Sequence, residues 1–292
     1  MINELKKICD TKEEFSLLDY NTYKLSSSCL AIAFPKNLDE LKKILEVVKK
    51  HKVKFLILGN GSNVIIPKYY DGIVIKLKYF NKCSISENEV YVESGYMINK
   101  LALELSSKGM AGLEWASGIP GTIGGSIYGN AGAYGSSMSD IIISCNVFDG
   151  KNILELSNEE MKFEYRNSIF KNNKKYIILS CKLKTTVDTV DNLMDLIKTR
   201  TEKRKETQDL ENPSCGSVFR NPEGLVAGKL IDDLGLKGFS INGAMISNKH
   251  ANFIINKGGA TSDDIIKLIK KIKSEIKKNY NVDLVLEQEI IK

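Results

Sequence analysis

Between residues 118 and 135 the chain reads GIPGTIGGSIYGNAGAYG, and this stretch constrains the fold more than any other. Gly118, Gly121, Gly124, Gly125, Gly129, Gly132 and Gly135 all fall inside it, out of 22 glycines in the whole chain. Glycine loses more conformational freedom on folding than any other residue, so such a cluster needs a backbone reason. One reason is close approach of main-chain N–H groups to an extended polyanion such as a pyrophosphate. The alternative is a flexible low-complexity linker. Linkers of that kind rarely carry residues like Ile119, Ile123, Ile127 and Tyr128, which sit between these glycines. The stretch is therefore expected to be a packed loop or a tight turn and helix lying against something flat.

A second glycine turn occupies residues 59–63, read GNGSN. It follows a short apolar run at 54–58, expected to be a buried strand, and leads back into Val64, Ile65 and Ile66. It is not a dinucleotide fingerprint of the doubly wound kind, since the third glycine is missing and no helix clearly follows. No G-K-[ST] occurs anywhere, which excludes a Walker loop. Alone it reads as a plain turn. Paired with the first stretch, it could complete a bed of N–H donors for a diphosphate. That points to a dinucleotide bound outside the usual doubly wound fold.

Composition narrows the class. A chain of 292 residues suits two or three subdomains rather than one small core. Its apolar share of 42% and charged share of 27% are those of an ordinary soluble globular protein. The net charge of +6 comes from lysines at helical spacing, which implies a solvated surface with a mild preference for anionic small molecules. No basic patch interleaved with aromatics points to nucleic acid. Six cysteines without a C-x-x-C pair read as reduced thiols, and two histidines exclude a histidine-rich metal site. The first residues lack an apolar h-region, and no apolar run reaches membrane-spanning length, so a cytoplasmic protein without a membrane contact is expected.

Periodicity gives the elements. Asn37 with Glu40 forms a capping box ahead of the stripe Leu41, Ile44, Leu45 and Val48. Ser157 with Glu160 repeats the box, and Thr261 caps a stripe of Ile265, Leu268, Ile269, Ile272 and Ile276. Further helices are expected at 98–106, 191–205 and 227–234. Strands are expected at 73–77, 90–93, 176–183 and 252–255, with a hairpin of 141–148 and 153–156 around Asp149-Gly150. A last strand at 284–291 would place Val285, Glu287, Glu289 and Ile291 on one face. The pattern is α+β with a boundary near 200–212.

Specific segments then carry a resemblance. LILGNGSNVI, GLEWASGIPGTIGGSIYGNAGAYG, EYRNSIF, PSCGSVFRNPEG, AGKLIDDLGLKG, HANFIINKGGAT and LVLEQEI follow one another along nearly the whole chain. Together they resemble the UDP-N-acetylenolpyruvoylglucosamine reductase (MurB) family, in its shorter subclass without a tyrosine-bearing insertion. The resemblance implies a two-subdomain FAD-binding fold of the vanillyl-alcohol-oxidase (PCMH) type plus a C-terminal α+β substrate-binding domain. The corresponding ranges are 1–68, 69–203 and 204–292. It further implies a monomeric cytoplasmic enzyme of peptidoglycan precursor synthesis. With FAD and NADPH, such an enzyme reduces UDP-N-acetylglucosamine enolpyruvate to UDP-N-acetylmuramate.

The same resemblance implies roles. Arg166 corresponds to a catalytic arginine, suited to a carboxylate becoming an enolate. Ser217 corresponds to the proton donor, and Glu289 to a catalytic glutamate expected to act in its protonated form, since an ionised carboxylate would repel the enolate. The cofactor would lie against Leu58, Gly59, Asn60, Gly61, Ser62, Asn63, Gly118, Pro120, Gly121, Thr122, Gly124, Gly125, Asn130, Gly132 and Ala133. The UDP-sugar would meet Tyr165, Arg220 and Asn221. No metal is implied. Departures from the family pattern are Ser26 and Ser27 where glycines are usual, Thr207 where a diphosphate lysine is usual, Asn167 for an aspartate, and Gly129 for a bulkier residue. Ser26, Ser27 and Thr207 motivate one alternative, a non-catalytic flavin- or nucleotide-sugar-binding relative; a flavin oxidase of the same fold with another substrate is a further one. Intact Arg166, Ser217 and Glu289 favour the reductase.

Overall fold

Helices form where a cap and an apolar stripe coincide. Thr261 accepts from the Asp264 N–H while Asp264 accepts from the Thr261 N–H, and the helix Ser262–Tyr280 follows. Its Ile265, Leu268, Ile269, Ile272 and Ile276 are all buried, each side chain contributing roughly 1.5–3 kcal/mol of transfer free energy. Asn37 likewise caps Leu38–Lys50 through the Glu40 N–H at 2.9 Å. Ser157 and Glu160 make both capping-box bonds, yet only one turn results. No apolar stripe follows them, so nothing pays the cost of continuing a helix.

The structure is a computed structural model that describes residues 1–292. The chain divides into two units: Met1–Glu13, Ala31–Asn60 and Gly72–Glu202, and then Glu14–Leu30, Gly61–Asp71 and Lys203–Lys292. No helix is long and apolar enough to cross a membrane.

The first unit is built on a five-stranded antiparallel sheet. Its order is Ile153–Ser157, Ile142–Phe148, Ile177–Lys184, Glu89–Glu93 and Cys83–Ser86. The hairpin between the first two closes at Phe148↔Ile153 around a four-residue turn, 149–152, with Gly150 at φ 97°. Helix Ile98–Ser106 turns Ile98, Leu101, Ala102 and Leu105 inward. The short helix Ile123–Tyr128 of the glycine-rich stretch lies against the central strands of this sheet, burying Ile123 and Ile127 beside Trp115. The stretch is thus a packed turn and helix on a flat surface. Cys145 and Cys181 face each other across strands inside this core. Burial pushes the Cys145 thiol up to about 12 and the Cys181 thiol well above its ordinary value, so both are inert packing groups. A further sheet has the order Asp10–Ser16, Ser28–Phe34, Tyr69–Ile75, Lys54–Ile57. The apolar run at 54–58 was expected to be buried. It is instead an edge strand parallel to its neighbour, and Phe55 is 39% exposed.

The second unit holds a four-stranded antiparallel sheet, Ser214–Ser217, Phe253–Asn256, Ala244–Ile246 and Ser240–Ile241, with Ser262–Tyr280 packed on it. The short helix Ala227–Asp233 ends at Gly235, φ 65°. The C-terminal strand expected at 284–291 is broken. Leu286 makes an isolated bridge to Phe219, residues 287–288 bend, and Glu289–Ile290 then pairs in parallel with Val64–Ile65. Gln288 is buried between half-buried Glu287 and Glu289, on the opposite face as alternation would place it.

Candidate functional site

In the first unit, Arg166 sits at the tip of a tight hairpin. Glu164 and Asn167 exchange backbone hydrogen bonds of 3.1 Å each, and Arg166 between them adopts φ 57°. The left-handed region costs a non-glycine residue roughly 1–2 kcal/mol, and such strain concentrates at functional positions. The hairpin is held from the glycine-rich stretch. Asn130, itself at φ 43°, donates to the Glu164 carbonyl at 2.9 Å and accepts from the Ser139 N–H at 3.0 Å. Ser168 donates to the Tyr128 carbonyl at 2.7 Å. The Arg166 guanidinium donates through Nη2 to the Gly132 carbonyl at 2.6 Å and lies 5.3 Å from the centre of the Tyr165 ring. Asn130, Ser137, Ser139, Phe163, Glu164, Tyr165 and Arg166 line a cleft of about 290 Å³. The planar guanidinium fork at its wall, one of its donors spent on Gly132, suits a planar anion such as a carboxylate. The sequence singled out Arg166, Tyr165 and Asn130. Ser137, Ser139 and Phe163 carry no motif and become visible when the chain folds.

The glycine-rich stretch uses most of its own N–H groups. Those of Gly121, Ile123, Gly124, Gly125, Ser126, Gly129, Asn130 and Ala131 all bond within the protein. Gly124 is required by close approach: its N–H meets the Ser94 carbonyl at 2.8 Å, and a Cβ there would sit 3.0 Å from Ser94 Cβ. Thr122 caps the short helix, Asn60 donates to the Pro120 carbonyl at 2.8 Å, and Lys76 donates through Nζ to the Gly59 carbonyl. Gly118, Pro120, Gly132 and Ala133 border the same turns, and Leu58 is buried beneath Gly59.

Residues 59–63 differ. None of the backbone N–H groups of Gly59, Asn60, Gly61, Ser62 and Asn63 donates within the protein. Backbone N–H groups rarely stay unpaired without a partner of another kind, and a succession of them favours an anion. Gly61, at φ 66°, admits no side chain: a Cβ would overlap the Tyr20 carbonyl oxygen. These observations fit a cofactor with a diphosphate.

Burial holds the Lys76 ammonium down to about 8, with Lys78 adding to the effect. The unfolded chain then binds more protons than the folded one between about pH 8 and the ordinary lysine value. Folding stability is expected to rise with pH across that window and to carry the burial penalty below it. Lys76→Met is expected to flatten that rise, read by chemical denaturation at pH 7, 8.5 and 10. An identical slope in wild type and variant contradicts the assignment.

In the second unit, Ser217 ends the strand Ser214–Ser217. That strand pairs with its neighbour at Ser214↔Ile255 and Ser217↔Phe253, so Cys215 and Gly216 oppose Ile254 alone. Gly216 takes φ 70° in this bulge. Beyond Ser217 a ladder joins its segment to the C-terminal one. The Glu287 N–H donates to the Val218 carbonyl, the Arg220 N–H to the Val285 carbonyl and the Glu289 N–H to the Asn63 carbonyl, each at 2.9 Å. Asn63 also donates through its amide to the Glu287 carbonyl at 3.1 Å. Ser217 and Glu289 therefore lie on hydrogen-bonded neighbouring segments, both half-buried. The buried Nε of Arg220 has no partner in the protein, which suits a ligand oxygen. Asn221 is exposed, and its carbonyl oxygen accepts from the Ala227 N–H at the start of a helix.

The departures find places. Ser27 is buried and donates to the Ile66 carbonyl at 3.1 Å, so the serine fits its turn. Thr207 ends the helix Val190–Thr207 and turns its hydroxyl back to the Lys203 carbonyl at 2.7 Å.

Known proteins resemble this chain over nearly its whole length. Residues 208–291 match a family model described as UDP-N-acetylenolpyruvoylglucosamine reductase, C-terminal domain, and residues 29–155 match an FAD binding domain. The chain is 39% identical to the UDP-N-acetylenolpyruvoylglucosamine reductase of Bacillus pumilus over 96% of its length and 93% of the relative's. It is 41% identical to that of Anoxybacillus flavithermus, covering 96% of this chain and 94% of the relative. Among solved structures, UDP-N-acetylenolpyruvylglucosamine reductase (MurB) from Thermus caldophilus superposes with a TM-score of 0.81 at 28% identity, covering 97% of this chain and 99% of that one. A glucose dehydrogenase, Phl p 4.0202, shares the fold alone over 64% of this chain and 44% of its own, at TM-score 0.51 and 12% identity.

Proposed function

Because the chain belongs to the UDP-N-acetylenolpyruvoylglucosamine reductase family, we propose that it reduces UDP-N-acetylglucosamine enolpyruvate to UDP-N-acetylmuramate, with NADPH as reductant, in peptidoglycan precursor synthesis. The observation that carries the reading beyond family membership is the ladder tying the segment of Ser217 to that of Glu289. FAD, when bound, would supply the hydride chemistry that links NADPH to the vinyl carbon distal to the substrate carboxylate.

The protein's own residues supply the rest. Negative charge develops on the carbon bearing the carboxylate and spreads into it. Arg166 faces that charge with a rigid fork of donors. Ser217 gives its hydroxyl proton to the carbon. A serine is a poor acid in water, but the carbanion-like carbon is far more basic, and a held hydroxyl needs no diffusional search. Glu289 acts on the growing enolate as the third catalytic group. The unused N–H groups of residues 59–63 would hold the cofactor diphosphate; Tyr165 of the first unit and Arg220 and Asn221 of the second are each assigned to the UDP-sugar. Residues 1–68 and 69–203 hold the cofactor, and 204–292 the substrate, in a monomer acting in the cytoplasm.

The FAD-loaded protein should oxidise NADPH in proportion to added enolpyruvyl substrate, with a product two hydrogens heavier. NADPH consumption that ignores the substrate and tracks oxygen would make it an oxidase.

A further inference from the structure

A bulge costs a strand its ladder partners, and in the bulge beside Ser217 Cys215 is buried and Gly216 half-buried. Cys215 is 4% exposed, so its carbonyl cannot turn to water. One side chain answers for both residues of the bulge. The Gln288 amide donates through Nε2 to the Cys215 carbonyl at 3.3 Å and to the Gly216 carbonyl at 3.2 Å. Its Oε1 accepts from the Tyr23 hydroxyl at 2.9 Å. Gln288 is 3% exposed and Tyr23 fully buried. Burial pushes the Tyr23 hydroxyl well above its ordinary value, so it stays an O–H donor. The network closes on the strand opposite the bulge, since Asn256 donates to the Tyr23 carbonyl at 2.9 Å.

The placement along the chain gives this network a consequence. Gln288 directly precedes Glu289, and Gly216 directly precedes Ser217. The Val218 carbonyl, just past Ser217, is held by the Glu287 N–H. Ser217 is thus clamped on both sides by the two residues that precede Glu289. We propose that Gln288, backed by Tyr23, is a positioning residue for proton delivery, fixing the Ser217 segment against that of Glu289. The proposal rests on Ser217 being the proton donor. An apolar side chain at 288 would leave the buried Cys215 carbonyl, the half-buried Gly216 carbonyl and a buried hydroxyl unpaired, and the bulge would relax away from its register. Small displacements of a reacting group cost up to about 10²-fold.

The test uses the FAD-loaded protein in single turnover. Gln288→Leu is expected to slow substrate-dependent recovery of flavin absorbance by about 10–10²-fold, with bleaching by NADPH unchanged and a larger solvent deuterium isotope effect. In a Ser217→Ala background the same change is expected to slow recovery by less than about threefold, because residues acting as a unit are not additive. Tyr23→Phe, a milder change, should act in the same direction and lose its effect in the same background. It carries the test if Gln288→Leu fails to fold. If Ser217→Ala is slow but the second change multiplies fully, or if both variants recover at the wild-type rate, Gln288 has no positioning role. If Ser217→Ala itself recovers normally, the premise falls and the proposal with it.

Discussion

Ser217→Ala is expected to bleach its flavin with NADPH at nearly the wild-type rate and then to return that absorbance, on addition of the enolpyruvyl substrate, about 10²–10⁴-fold more slowly. The asymmetry follows from where the proton goes. Bleaching by NADPH requires no proton on a substrate carbon, whereas completing the substrate's reduction does. Ser217 is held in a bulge whose neighbours on either side are hydrogen-bonded to the Glu289 segment, so alanine removes the hydroxyl without disturbing the backbone. Rapid-mixing absorbance at the flavin band separates the halves. Equal slowing of both would mean that Ser217 does something other than donate this proton.

Arg166→Met is expected to cost about 10²–10³-fold in the same substrate-dependent step, the range for losing a donor aimed at developing negative charge. Lysine should not restore it, because a point charge lacks the planar fork. The guanidinium also holds the Gly132 carbonyl at 2.6 Å, so part of the loss is structural. Comparing Arg166→Met with Arg166→Lys divides the two: the lysine variant should recover cofactor content before it recovers rate. Rates within a few-fold of wild type in the methionine variant would remove Arg166 from the chemistry.

Much of the architecture was legible because local signals agreed with the global packing. Thr261 with Asp264, followed by a stripe of isoleucines and Leu268, reads as a helix and is one. Ser157 with Glu160 carries the same local signature and yields a turn, since the residues after it bury no continuous face. The run at 54–58 is apolar enough for a buried strand, but strand order places it at an edge, and order is a property of the whole sheet. The glycines announced close backbone approach in both loops. They did not announce that the longer stretch would use its N–H groups internally while residues 59–63 would leave theirs unused. That difference depends on which carbonyls the fold brings near.

The residues proposed to carry the chemistry were legible through family resemblance rather than spacing. Arg166 in a loop and Ser217 after a proline and a glycine look like ordinary surface and turn residues. What marks them structurally is a left-handed φ of 57° at Arg166 and a two-against-one bulge before Ser217. Neither is written in a short window of sequence. The register that creates the bulge is set by pairing with residues 253–255, and Gln288, which satisfies it, is 73 residues from Cys215.

The most direct measurement is stepwise and anaerobic. The purified protein, with its FAD, receives one equivalent of NADPH and then UDP-N-acetylglucosamine enolpyruvate, while flavin absorbance is followed. The account predicts bleaching on the first addition and full return on the second, one substrate reduced per flavin. Flavin that stays bleached through the second addition and recovers only when air is admitted would contradict it.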